Sequence, residues 1–194
     1  MKFEDAQNAM IKYLSSSEFA NREDAQDTLS SLSLIIDMVK HGFITENSQE
    51  GVQTKSKTYN TNEPFVMNER AYVCGFMHES DGELFMRLFS SKSDKVCLII
   101  PRLEIEESEI NFDRNKNIPL TITIKNGKYK VITSQLPWIP ATAFDFLKKN
   151  VKLNKSEKVV HILCYDPLYN RKASSKNGLH NDILKALHEM AEVK

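Results

Sequence analysis

Leu120-Thr121-Ile122-Thr123-Ile124-Lys125-Asn126-Gly127-Lys128-Tyr129-Lys130-Val131-Ile132-Thr133 is the stretch whose reading decides the fold class. Asn-Gly is the favoured pair for a two-residue type I′ turn, because both central residues take positive φ. That turn sets Lys125 opposite Lys128, Ile124 opposite Tyr129, Thr123 opposite Lys130 and Ile122 opposite Val131. Side chains alternate along a strand, so Ile122, Ile124, Tyr129 and Val131 share an apolar face. Thr121, Thr123, Lys125, Lys128 and Lys130 line the other face, which is polar and basic. Such a hairpin lays one side on a core and needs further strands or helices to be stable.

Working outward, the chain reads as an α+β protein. The expected architecture is a mostly antiparallel sheet of about five to seven strands, with two N-terminal helices, one middle helix and one C-terminal helix. Ahead of the hairpin lies a meander. It has a strand over 70–78, a turn at Glu79-Ser80-Asp81-Gly82 and a strand over 83–89 with Leu84, Met86 and Leu88 on one side. Residues 96–100 are apolar on both faces, the pattern of a central strand. A strand over 103–112 alternates Leu103 and Ile105 with glutamates. Beyond the hairpin, Pro140 opens a helix over 141–149. A strand over 157–165 ends at Asp166-Pro167, and a basic, Ser-rich loop fills 171–178. The last helix, over 179–193, carries Leu179, Ile183, Leu187 and Met190 as its stripe.

The N-terminal segment is helical. Phe3, Ala6, Met10, Tyr13 and Leu14 recur at helical spacing, and Ser15-Ser16-Ser17 breaks the run. A second helix starts at Asn21 as N-cap and ends at Lys40-His41-Gly42, cations in the last turn followed by a left-handed Gly. From 45 to 64 the sequence turns polar, with Val52 and Tyr59 as its only anchors. The expected organisation is a helical pair at 1–44, a polar loop or linker at 45–64 and a β-rich body at 65–194, together one compact domain.

Composition narrows the function classes. Ten Phe and an apolar share of 41% exclude general disorder. No apolar run approaches the roughly twenty residues of a membrane helix, and Met1-Lys2-Phe3-Glu4-Asp5 lacks a secretory apolar stretch, so a cytoplasmic protein without membrane contact is expected. Cys74, Cys97 and Cys164 sit in strand-like runs at no metal spacing, which suits reduced, buried thiols. Charge is balanced at 26 basic and 26 acidic residues. The balance hides a split. Residues 1–113 hold 11 basic and 20 acidic side chains, and residues 114–194 hold 15 and 6.

No metal site and no cofactor are expected. His180 and His188 are too far apart on one helix to share an ion, and His161 and Cys164 point to opposite faces of a strand. There is no Walker pattern and no Gly-x-Gly-x-x-Gly. What remains is charge. The acidic set Glu104, Glu106, Glu107, Glu109 and Asp113 offers a face to a basic partner. Arg171, Lys172, Ser174, Ser175 and Lys176 precede a helix, an arrangement that can bind anions. Lys125, Lys128 and Lys130 form a basic strand face, but Tyr129 falls on the other side, so the aromatic stacking used with single strands is missing. The expected function is a protein-binding module, in narrower form an inhibitor or immunity-type antitoxin that captures a basic toxin. The alternatives are a small hydrolase or transferase acting on a phosphorylated substrate through the 171–178 loop, and a nucleic-acid-binding protein using the hairpin.

Overall fold

The computed structural model describes residues 1–21, 29–57, 64–101, 118–119, 121–125, 128–131, 135–136, 153–154 and 156–194. The fold is α+β, with one antiparallel sheet of seven strands and a separate pair of short ones. The spine is β3 (Pro64–His78). β1 (Ile44–Glu50) and β2 (Gln53–Lys57) both run antiparallel to it, one along each half. On the other side of β3, the first half pairs β6 (Thr121–Lys125) and the second half pairs β9 (Val159–Tyr169). β9 then pairs β4 (Val96–Pro101), and β6 pairs β7 (Lys128–Val131). β5 (Ile118–Pro119) and β8 (Gln135–Leu136) pair beside the hairpin.

The hairpin register is the one its turn chemistry dictates. Lys125 pairs Lys128, Ile124 pairs Tyr129, Thr123 pairs Lys130 and Ile122 pairs Val131. The Asn126-Gly127 turn itself, the strand expected over 103–112 and the helix expected over 141–149 lie outside the described residues.

Helix α1 (Phe3–Leu14) buries Phe3, Ala6, Met10 and Leu14 on one stripe. Its start is capped by the Asp5 carboxylate, which accepts from the Lys2 N–H. A single turn, α2 (Ser17–Ala20), follows, capped by the Ser16 hydroxyl, which accepts from the Phe19 N–H. The expected second helix does not start at Asn21, which instead closes α2, and residues 30–31 form a turn; helix α3 (Leu32–Lys40) begins after it and ends as expected, with Gly42 at φ +89 just past it. Gln7 of α1 donates to the carbonyls of Val39 and Lys40, which satisfies the open end of α3 and ties the two helices. The last helix, α5 (Leu179–Val193), buries the expected stripe. α1, α3, α5 and the sheet share one core in which Met38, Phe43, Phe76 and Ile162 are fully buried. The other face of β3, β9 and β4 carries a second cluster of Cys74, Leu163 and Tyr165. All three cysteines are free and buried.

Four further local expectations are corrected. The stretch 79–92 is a helix, α4 (Glu79–Lys92), instead of a turn and a strand. Leu84, Met86 and Leu88 alternate with period two, but the buried set is Gly82, Phe85 and Phe89, spaced three and four apart. Glu79 and Asp81 in its first turn and Lys92 in its last oppose the helix dipole. The expected polar loop at 45–64 is largely strand, since β1 and β2 occupy 44–50 and 53–57. Its polarity masks the pairing, because an outer strand needs backbone partners more than apolar side chains. β4 is not central: among the described residues it pairs β9 alone; Cys97 and Ile99 face the main core, while Val96 and Leu98 on the other face are half-buried against the cluster of Cys74, Leu163 and Tyr165. Finally, β9 continues through Asp166-Pro167 to Tyr169. Its register against β3 shifts between Tyr165 and Tyr169, and β4 pairs it no further than Tyr165, so Pro167 breaks no ladder.

Candidate functional site

The 171–178 loop packs against the end of β1. The Ala173 N–H donates to the Glu50 carbonyl, and the Ser174 N–H and hydroxyl both donate to Glu50 Oε2, at 3.1 and 2.9 Å. Gly51, at φ +72, makes this approach possible. A Cβ there would lie 2.6 Å from the Arg171 carbonyl and 2.5 Å from the Ala71 nitrogen. Gly178 closes the loop in the same way, with the Ala173 carbonyl 2.3 Å from where its Cβ would stand.

Arg171 joins two acids. Its Nε donates to Asp166 at 2.7 Å, and its terminal nitrogens grip Asp94 at 3.0–3.2 Å. Asp94 and Asp182 in turn flank Lys95, whose Nζ lies 3.0 and 2.7 Å from them. Bonds from Lys95 and then Arg171 hold the Asp94 carboxyl below the usual range. The result is a charge network that pins the loop, β4 and α5 to one another. Of the expected anion-binding set, Arg171 and Ser174 are therefore engaged by carboxylates, while Lys172, Ser175 and Lys176 are exposed. Glu104, Glu106, Glu107, Glu109 and Asp113 lie outside the described residues. Lys125 and Lys128 stand opposite each other at the hairpin end, with Phe65 of β3 across from Lys125.

Beside β1 runs a polar cleft of about 640 Å³, lined by Ser30, Asn47, Ser48, Gln49, Lys172 and Ser174 among others. Glu50 also lines it, and His180 lies behind Glu50. His180 is 1% exposed, and its Nδ1 is 3.9 Å from Glu50 Oε1. Both imidazole nitrogens and Glu50 Oε1 lack a hydrogen-bond partner among the described residues. Burial pushes the His180 pKa down, and the Glu50 charge offsets this only in part.

Two further clusters escaped the sequence reading. Asp37, His41 and His188 gather where α3 meets α5, with the imidazole centroids 4.4 Å apart. Glu46, Cys74 and His161 gather on the sheet, with Glu46 Oε2 3.3 Å from His161 Nε2. Sequence parity does place Cys164 and His161 on opposite faces. It also puts Cys74, one strand over, on the His161 face, because Cys74 pairs Leu163. That relation needs the inter-strand register, which no local motif supplies. Burial, then the neighbouring Cys74 and Glu46, pushes the phenol of adjacent Tyr72 up.

The fold and these sites define an α+β protein with one antiparallel sheet and a polar cleft at its β1 side. No protein-family model matches the chain. Over 131 residues, 68% of its length, the chain is similar to Segregation and condensation protein B of Mycoplasmoides gallisepticum (strain R(low / passage 15 / clone 2)), at 26% identity. The match spans 41% of that protein's length. Among the described residues, no helix is long and apolar enough to cross a membrane.

Proposed function

We propose that this protein is a protein-binding module that receives an extended segment of a partner along β1 and in the cleft beside it. One observation carries the reading. β1 has β3 as its only strand partner among the described residues, and it borders the polar cleft. A strand with an open side can add a partner strand through main-chain hydrogen bonds, and flanking polar side chains then select the sequence. Asn47, Ser48 and Gln49 supply donors and acceptors there, Glu50 and Glu69 negative charge, and Lys172 a cation.

The likeness to a segregation and condensation protein favours a partner from the chromosome-segregation machinery, and work in the cytoplasm belongs to the same reading. The narrower inhibitor or antitoxin role, with a basic toxin as partner, rests on the acidic residues 104–113 of the sequence alone. Phosphate handling by the 171–178 loop is weakened, because Arg171 and Ser174 already hold Asp94, Asp166 and Glu50. The nucleic-acid reading keeps only the lysine pattern of the hairpin.

A photo-crosslinking residue at Ser48, in the native cell, tests the proposal. The expected result is one defined protein adduct from Ser48 and none from exposed Lys185 on α5. Equal adducts at both positions, or none at Ser48, would overturn it. Anucleate cells on depletion of the protein would tie the partner to chromosome segregation; normal segregation would remove that partner class.

A further inference from the structure

We propose that Glu46, Cys74 and His161 form a zinc-type metal site with three protein ligands and a fourth position for water. Each ligand comes from a different strand of three that lie side by side: Glu46 from β1, Cys74 from β3 and His161 from β9. Their ligating atoms all lie within 4.8 Å of one another. The Glu46 and His161 atoms are 3.3 Å apart. Bonds of about 2.0–2.1 Å at tetrahedral angles put two ligand atoms about 3.3 Å apart, so that pair already has the spacing of a shared ion.

The backbone is built to make this meeting possible. The β1 register slips between Thr45, which faces Gly75, and Asn47, which faces Cys74. Glu46 is the extra residue of that bulge, and bulges re-aim a side chain. Gly75 is what admits it, since a Cβ there would lie 2.2 Å from the Ile44 carbonyl.

Burial argues for a cation. Cys74 is 8% exposed, His161 is 1% exposed and the Glu46 side chain 13%. The Glu46 carboxylate and the Cys74 thiol converge with His161 within 4.8 Å, and a cation at their meeting point compensates the negative charge held there. A divalent ion meets both groups, displaces the thiol proton to solvent and takes neutral imidazole as its third ligand. Thiolate with imidazole and carboxylate selects zinc over the hard, oxygen-seeking cations. Glu46, the most exposed of the three, marks the side on which water completes the coordination.

Cobalt(II) titration of the purified full chain tests the site. The expected result is one equivalent bound, with a sulfur-to-cobalt charge-transfer band and tetrahedral visible bands that zinc displaces. Cys74→Ser abolishes the charge-transfer band, and Cys97→Ser, on the opposite face, leaves it. Glu46→Gln, nearly isosteric and partly exposed, keeps the fold and weakens cobalt affinity by at least about tenfold. A folded wild-type protein without the band, a band that survives Cys74→Ser, or unchanged affinity in Glu46→Gln would each overturn the proposal. Magnesium in place of cobalt is expected to leave the melting temperature unmoved, whereas zinc raises it; a zinc effect no larger than that of magnesium counts against the site.

Discussion

Lys95 Nζ lies 2.7 Å from Asp182 Oδ2, and only 3% of the Lys95 side chain is exposed. This contact joins the start of β4 to the first turn of α5. Asp182 also accepts from the Ser93 hydroxyl at 2.8 Å, so one carboxylate serves two groups of the β4 approach. The remaining partner of Lys95, Asp94, is well exposed.

Asp182→Ala should therefore be costly. It leaves a buried ammonium with only a solvent-screened partner, and breaking such a pair destabilises by about 3 kcal/mol. Lys185 also reaches Asp182, at 3.5 Å, but is exposed, so Lys185→Ala should change stability by no more than about 0.5 kcal/mol. Urea midpoints at unchanged m-value read both. Equal effects would show that the charge network carries no special weight.

Arg171 should prove structural. Asp166 is 1% exposed and meets the Arg171 Nε at 2.7 Å, so Arg171→Gln is expected to cost about 2–3 kcal/mol by stranding that carboxylate. Lys172→Ala and Lys176→Ala should each stay within about 0.5 kcal/mol. Isothermal titration with inorganic phosphate separates the two roles of the loop. A flat trace for wild type fits a structural Arg171, and phosphate binding that Lys176→Ala removes would restore the anion-site reading.

Stability should fall on both sides of neutrality. His180 has its pKa pushed below the usual imidazole value by burial. The unfolded chain then takes up protons near its own pKa of about 6.5 while the folded chain does not, so stability is full above that pH and declines below it. Asp94, with its pKa lowered, adds to this at lower pH: its contribution is present above the unfolded carboxyl value of about 3.9 and is lost as pH falls through the folded one. On the basic side, burial opposes charge on Lys95, but the bonds to Asp182 and Asp94 outweigh it and raise the pKa. That contribution is full below about pH 10.4 and is lost as pH rises through the folded value. His180→Gln should flatten the slope just below pH 6.5 in a series of urea midpoints. An unaltered slope would mean that another group sets it.

Two glycines should respond differently to alanine. At Gly75 the new Cβ meets the Ile44 backbone, and the β1 bulge must move, for about 2–3 kcal/mol. At Gly42 nothing lies within 4 Å, and only the φ of +89 is strained, for about 1 kcal/mol. Amide exchange along β1 should rise in Gly75→Ala and stay unchanged in Gly42→Ala.

How much of this was legible in the residues follows the range of each interaction. The register of β6 and β7, the stripe of α1, the stripe of α5 and the stop at Gly42 depend on neighbours a few positions apart. Turn chemistry and helical period carry that information, so these elements can be read directly. At 79–92 two periods overlapped. Leu84, Met86 and Leu88 suggested a strand, and only the packing of Phe85 and Phe89 into the core decides for a helix.

The amino-acid sequence by itself determined the class of fold, the C-terminal helix, the hairpin and the split in charge, because each arises from local pattern or simple composition. Tertiary structure alone decided that the polar run after Phe43 is strand, since its hydrogen bonds are made to β3 and not to itself. It also decided where the chemistry gathers. Glu46 meets Cys74 and His161 only because a bulge turns its side chain inward and Gly75 leaves room, and both depend on the pairing of strands far apart in the chain.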